Sequence, residues 1–278
     1  MQELTLSDGS GVIQRYADFP ARTAEVRHID VWCPPDISAA SRRYPVIYMH
    51  DGQNLFDPAT SLSSGIDWGI DEAILRLMQA GRMDGAIVVG IWHPTQRMRE
   101  YMPQKPLELP ENQMWLARFS ELAGGPPVSD RYLRFIVEEL KPFIDARYPT
   151  LPDQAHTFIM GSSMGSLISL YAIREYPQIF GGAGCVSTHW VAGENVLVNY
   201  FGAALPTPID HKLYFDYGTE TADAAYEPYQ QRLDEHLAAR GYERGKNWIT
   251  QKFDGAEHSE RAWRTRVHLP LEFLLGLT

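Results

Sequence analysis

Short, unbroken apolar runs recur along this chain, and amphipathic stretches fall between them. Residues 45–50 (Pro-Val-Ile-Tyr-Met-His), 85–91 (Gly-Ala-Ile-Val-Val-Gly-Ile), 156–160 and 184–187 lack the polar alternation of a half-solvated strand. They predict strands buried on both faces. Residues 12–16 and 26–33 read as antiparallel strand material, closed by Pro34-Pro35, and residues 212–216 and 247–253 as later strands. Helical spacing marks residues 67–79, with Ile70, Ala73, Ile74, Leu77 and Met78 on one face. It also marks 129–148, opened by Ser129-Asp130, then 226–240 and 260–275. Strands alternating with helices predict an α/β fold: a mostly parallel central sheet with antiparallel N-terminal strands and helices on both faces. The segment 93–128 is rich in proline and has no clear period, which predicts a long loop. No repeat or low-complexity linker interrupts the chain, so residues 1–278 are expected to form a single domain.

One run carries chemistry. Residues 158–167 read Phe-Ile-Met-Gly-Ser-Ser-Met-Gly-Ser-Leu: an apolar strand, Gly-x-Ser-x-Gly, then an apolar helix continued by Ile168, Leu170, Tyr171 and Ile173. This is the sequence form of a nucleophile elbow. The turn holds its central residue in a strained conformation, and close strand–helix packing leaves no room for a Cβ two residues to either side. The glycines flank Ser163, whereas Ser162 would have Met160 and Met164 at those offsets. Ser163 is therefore the candidate nucleophile.

A serine hydroxyl needs a base within hydrogen-bond reach and a third group that orients the base. On an elbow-bearing sheet these follow in the order serine, acid, histidine. Of nine histidines, only His258 lies in a loop after the last predicted strand, in Asp254-Gly255-Ala256-Glu257-His258-Ser259. The acid is expected in the loop after residues 212–216. Asp216 stands too far back in the strand, which leaves Asp223 and Glu220, with Asp223 preferred. Backbone donors for an oxyanion are expected from Met164, the residue after the nucleophile, and from Gln53 in the His50-Asp51-Gly52-Gln53 turn. The 54–68 loop, the 93–128 segment and the loop after Ser187 are expected to build the pocket. Trp68, Trp92, His93, Arg97, Arg99, Trp115, His189 and Trp190 are the candidate substrate-binding residues.

Composition narrows the partners. The 278 residues carry a formal charge of −10, which argues against nucleic acid. The apolar runs fall well short of the ~18 residues that would predict a transmembrane segment. The start, Met1-Gln2-Glu3-Leu4, has no basic and apolar leader, which predicts no signal peptide. A cytoplasmic location, and a secreted or periplasmic one reached after signal removal, both stay open, as does oligomeric state. Cys33 and Cys185 fall in strand-like runs and are expected to be free thiols. There is no His-Glu-x-x-His and no paired cysteine spacing, so no metal is expected.

Residues 48–57 (Tyr-Met-His-Asp-Gly-Gln-Asn-Leu-Phe-Asp), 161–165 (Gly-Ser-Ser-Met-Gly), 176–183 (Tyr-Pro-Gln-Ile-Phe-Gly-Gly-Ala) and the His258 loop resemble the esterase D / enterochelin-esterase-like group. That group is similar to carbohydrate esterase family 1 and includes feruloyl and acetyl-xylan esterases and the antigen 85 mycolyltransferases. The resemblance runs in matching order over roughly residues 25–275. It implies an α/β-hydrolase fold and cofactor-free hydrolysis of a small-molecule or saccharide carboxylic ester by a serine esterase. In the relatives the acid often stands in a Gly-x-x-Asp turn. Thr221 occupies that position here, and a loop longer by two residues would bring Asp223 to it. Acyl transfer of the antigen 85 type with the same residues, and a non-catalytic binding protein on the same scaffold, are the alternative readings.

Overall fold

The computed structural model describes residues 1–7, 9, 11–35, 37, 42–62 and 65–277. Its strands are β1 (Gln2–Thr5), β2 (Val12–Phe19), β3 (Arg27–Trp32), β4 (Val46–His50), β5 (Ile87–Ile91), β6 (Thr157–Ser162), β7 (Gly182–Val186), β8 (Lys212–Gly218) and β9 (Trp248–Phe253). They form one sheet in the order β1-β2-β3-β5-β4-β6-β7-β8-β9. β1, β2, β3 and β5 pair antiparallel in succession, and every pair from β5 through β9 is parallel.

The apolar runs become the centre of this sheet for the reason their composition suggests. β4, β5, β6 and β7 are buried at every position, while β2 alternates toward solvent. Successive side chains on a strand point to opposite faces, and the two faces build separate cores. Val46, Tyr48, Ile159 and Phe215 pack with Tyr132, Phe135, Leu140, Leu167, Leu170 and Phe201 on one side. Ile47, Met49, Phe158, Met160 and Tyr214 pack with Ile70, Ile74, Leu77, Leu271 and Leu274 on the other. Cys185 lies buried in the first core and Cys33 is half-buried against it; both are free thiols.

Three segments differ from expectation. The supposed loop 93–128 contains the helices Arg97–Tyr101, Gln104–Glu108 and Gln113–Ala123. The first two are too short to show a period, and prolines punctuate all three. A helix at Glu194–Ala204, which the sequence reading does not anticipate, connects β7 to β8. The stretch expected as one helix over 129–148 runs as Ser129–Phe135, a π-turn at Ile136–Leu140, and Lys141–Arg147. Pro142 lacks an N–H and its ring crowds the carbonyl four residues back, which accounts for the widened turn. Pro270 acts similarly near the C-terminus, where the expected helix divides into Glu260–Arg266 and His268–Leu274.

A buried ion pair pins the Arg97–Tyr101 helix to the sheet. The guanidinium of Arg27 on β3 donates two hydrogen bonds to Glu100, at 2.9 and 2.6 Å, and both side chains are almost wholly buried. The same guanidinium stacks 5.0 Å from the Tyr132 ring and 5.2 Å from the Phe135 ring. Breaking such a pair strands a buried charge, which costs about 3–5 kcal/mol. Glu100→Ala is therefore expected to lower the unfolding free energy by about that amount in chemical denaturation. A loss below ~1 kcal/mol, as for an exposed pair, would show that the pair does not anchor this helix.

Candidate active site

Ser163 stands between β6 and the Met164–Glu175 helix with φ 57° and ψ −121°. A non-glycine residue in such a region costs of order 1–3 kcal/mol and persists only where its surroundings enforce it. The enforcement is local. The Ser163 amide donates to the Val186 carbonyl at 2.9 Å, and the Ser163 carbonyl accepts from His189 N–H at 3.3 Å. A Cβ on Gly161 would lie 2.9 Å from the Gly165 backbone, so the strand–helix approach requires glycine there.

The loops after β8 and β9 meet beside this turn. The Asp223 carboxylate is buried, with Oδ1 2.5 Å from Nδ1 of His258. Its Oδ2 accepts from the Ser187 hydroxyl and from the Gly218 amide, each at 2.6 Å. Burial works to raise this carboxyl group. The bonds from His258, Ser187 and Gly218 outweigh it and hold Asp223 below the ordinary carboxylate range. Thr221 Oγ1 accepts from the backbone N–H of His258 at 2.8 Å. The Ala256 carbonyl accepts from the amides of Thr219 and Glu220 at 3.1 and 3.0 Å. Glu220, the alternative acid, is exposed, and among the described residues its carboxylate bonds to no side chain. Asp216 is buried and takes two bonds from Arg266, at 3.0 and 3.2 Å.

Sequence reasoning does not find the next layer. Ser187, with φ 47°, donates to Asp223 while accepting from Trp263 Nε1–H at 3.0 Å and from Arg266 at 3.1 Å. The Trp263 ring stands edge-on to His258, 5.0 Å between centroids. A buried serine at a strand end and a tryptophan four residues past Ser259 carry no local signal of this role.

On the other side of the elbow, Gly52–Asn54 forms a 3-10 turn after β4. A Cβ on Gly52 would lie 2.6 Å from the Gly90 backbone, which fixes glycine at this point. Asp51, buried with φ 58°, receives two 2.7 Å bonds from Arg97. Burial raises its carboxyl group, but the Arg97 charge and hydrogen bonds prevail and lower it. Gln53 and Met164 both lie in the opening turn of a helix, where amides have no intrahelical acceptor. Among the described residues neither amide donates to a protein acceptor.

A cavity of about 360 Å³ opens at Ser163 and Met164. Of the candidate substrate-binding residues, Arg97, Trp115 and His189 line it. Trp68 and Trp190 do not. Trp68 is buried against Trp263 at 5.4 Å, and Trp190 is wholly buried with its N–H donated to Gln230 at 3.0 Å. Both are core residues. Trp92 bonds Asp30 at 2.7 Å, and Arg99 is occupied by the Pro126 carbonyl and Gln96. Met98, Met102, Phe119, Leu122, Val191 and Ala192 supply the apolar walls, mostly from the helices of the segment expected as a loop. Ser63 and Ser64 of the 54–68 loop lie outside the described residues.

His189 bonds the Tyr226 hydroxyl through Nδ1 at 2.6 Å, and its ring lies 6.3 Å from that of His258. No hydrogen bond joins Ser163 Oγ to His258 among the described residues; catalytic contacts often tighten only around substrate. Away from the cavity lining, Asp67, Asp71 and Glu72 form an acidic group, in which Arg264 bonds Asp67 at 2.7 Å and also bonds Glu72.

A strained serine between a strand and a helix, followed by an amide that has no protein acceptor among the described residues, and an imidazole backed by a buried carboxylate define the class: this is an α/β-hydrolase fold. The Esterase family model matches residues 21–268, and the chain belongs to that family. A ferulic acid esterase superposes with a TM-score of 0.70 at 16% identity, covering 96% of this chain and 98% of that one. An IroE-like serine hydrolase from Shewanella oneidensis gives 0.69 at 18% identity, covering 94% and 80%. The uncharacterized protein YbbA of Bacillus subtilis (strain 168) is 28% identical over 165 residues, which is 59% of this chain and 58% of that protein. The matches span about three-fifths of the length of the curated relatives.

Burial, followed by the charges of His258 and Arg97, lowers His189 to about 4. The folded protein thus holds this ring neutral, while the unfolded chain takes up its proton near the ordinary value of about 6.5. The contribution of His189 to stability is present above that value and is lost as pH falls toward 4. In a histidine NMR titration, His189 is expected to stay neutral from pH 7 down to about pH 5. A midpoint near 6.5 would contradict its buried environment.

Proposed function

We propose that the chain is a serine esterase that cleaves small-molecule carboxylic esters through an acyl-enzyme on Ser163. The observation that carries this reading is the 2.5 Å contact between His258 and a buried, charge-satisfied Asp223, beside a serine held on a strained turn. Membership of the Esterase family supports it. Ser163 Oγ attacks the ester carbonyl as His258 Nε2 takes its proton. The Nδ1–H of the same ring donates to Asp223, which fixes the tautomer and steadies the imidazolium. The amides of Gln53 and Met164 receive the oxyanion as it forms. The intermediate collapses, His258 returns the proton to the departing alcohol, and water repeats the cycle to release the acid.

Acyl transfer would use the same residues with an alcohol in place of water. Product partitioning in added alcohol separates the two. Ser163→Ala is expected to abolish hydrolysis of short 4-nitrophenyl esters and labelling by a fluorophosphonate probe while circular dichroism stays unchanged. Asp223→Asn should lower kcat by roughly 10³–10⁴-fold, since the imidazole loses its correct tautomer. Glu220→Gln should change kcat by less than about twofold. Undiminished turnover in Ser163→Ala, or a Glu220 effect equal to that of Asp223, would overturn the assignment.

A further inference from the structure

The helix Gln113–Ala123 turns Trp115, Arg118, Phe119 and Leu122 toward the cavity at Ser163. These positions are spaced three, four and seven apart, one face of a helix. Such a stripe is ordinarily apolar, and here it is apolar except for Arg118. The neighbouring arginines are occupied: Arg97 by Asp51, Arg27 by Glu100, and Arg99 by the Pro126 carbonyl and Gln96. Arg118 makes no hydrogen bond or ion pair among the described residues, and its guanidinium carbon lies only 5.8 Å from the Trp115 ring. Arg118 is exposed to solvent, and among the described residues lining the cavity it is the arginine without a protein partner, on a chain whose formal charge is −10.

The cavity also has a direction. It contacts Ser163 and Met164 but not His258. The leaving alcohol takes its proton from His258, and a cavity that reaches Ser163 without that residue in its lining suits the acyl group, although His189 in the same lining stands 6.3 Å from the His258 ring. Its volume of about 360 Å³ would be left largely empty by an acetyl group, and Met102 and Phe119 offer apolar wall along it.

We infer that the acyl group has a short apolar chain ending in an anion, which Arg118 meets, so that Arg118 sets specificity for half-esters of dicarboxylic acids. This rests on the esterase reading above. The probes are 4-nitrophenyl hexanoate and the mono-4-nitrophenyl ester of hexanedioic acid, which share a six-carbon acyl chain and differ in the terminal carboxylate. The readout is the ratio of their kcat/KM values, anionic over neutral.

A hydrogen bond between charged groups strengthens binding by about tenfold or more, and the solvent exposure of Arg118 reduces this. Arg118→Gln is therefore expected to lower the ratio by about fivefold or more, through KM. Arg118→Lys should restore much of it, and added salt should compress the wild-type ratio. A ratio unmoved by Arg118→Gln while both esters are still cleaved would overturn the inference alone. Failure of the wild type to cleave any ester would overturn the esterase reading, and this inference with it.

Discussion

A carboxylate removed from water must have its charge met, and the arrangement of Asp223 follows from that constraint. Its two oxygens take donors from three directions: the His258 ring, the Ser187 hydroxyl and the Gly218 amide. Each donor comes from the C-terminal end of a different strand or the loop beyond it, so satisfying this one group fixes the ends of β7, β8 and β9 relative to one another. The Ser187 oxygen in turn takes donors of its own, and the Glu260–Arg266 helix supplies them through Trp263 and Arg266. A half-satisfied buried network is worse than an apolar core. These side chains therefore form an interdependent set.

The opposite wall follows different physics. There, Asp51 is neutralised by Arg97, and Arg97 rides on a helix held down by the Arg27–Glu100 pair. The turn carrying Gln53 is thus tied to charges that begin on β3. The strained serine sits between two charge-matched assemblies, each braced by a separate part of the chain.

What the sequence made legible was whatever a local pattern encodes. The buried strands, the glycine-flanked Ser163 and the single histidine in the loop after the last strand are readable because each signal lies within a short stretch of chain. Asp223 separates from Asp216 by strand position, and its preference over Glu220 is slight and is supported by a resemblance. Ser187 and Arg266 stand 36 and 43 residues from Asp223, and only tertiary structure joins them. Trp68 and Trp190 misled for a physical reason: an indole serves a core and a pocket equally well, and position along the chain does not distinguish them. The helices of 97–123 were hidden because two of them are a single turn or so long, too short for periodicity to register.

Thr221 has a consequence for how His258 is held. Its Oγ1 takes the backbone amide of His258, while Asp223, two residues further round the same turn, takes the ring. The turn presents two oxygens to one histidine and assigns the main chain to one and the side chain to the other. The hold on the His258 main chain is thus separate from the hold on its ring, so the place of this histidine in the loop and the orientation of its imidazole rest on different side chains.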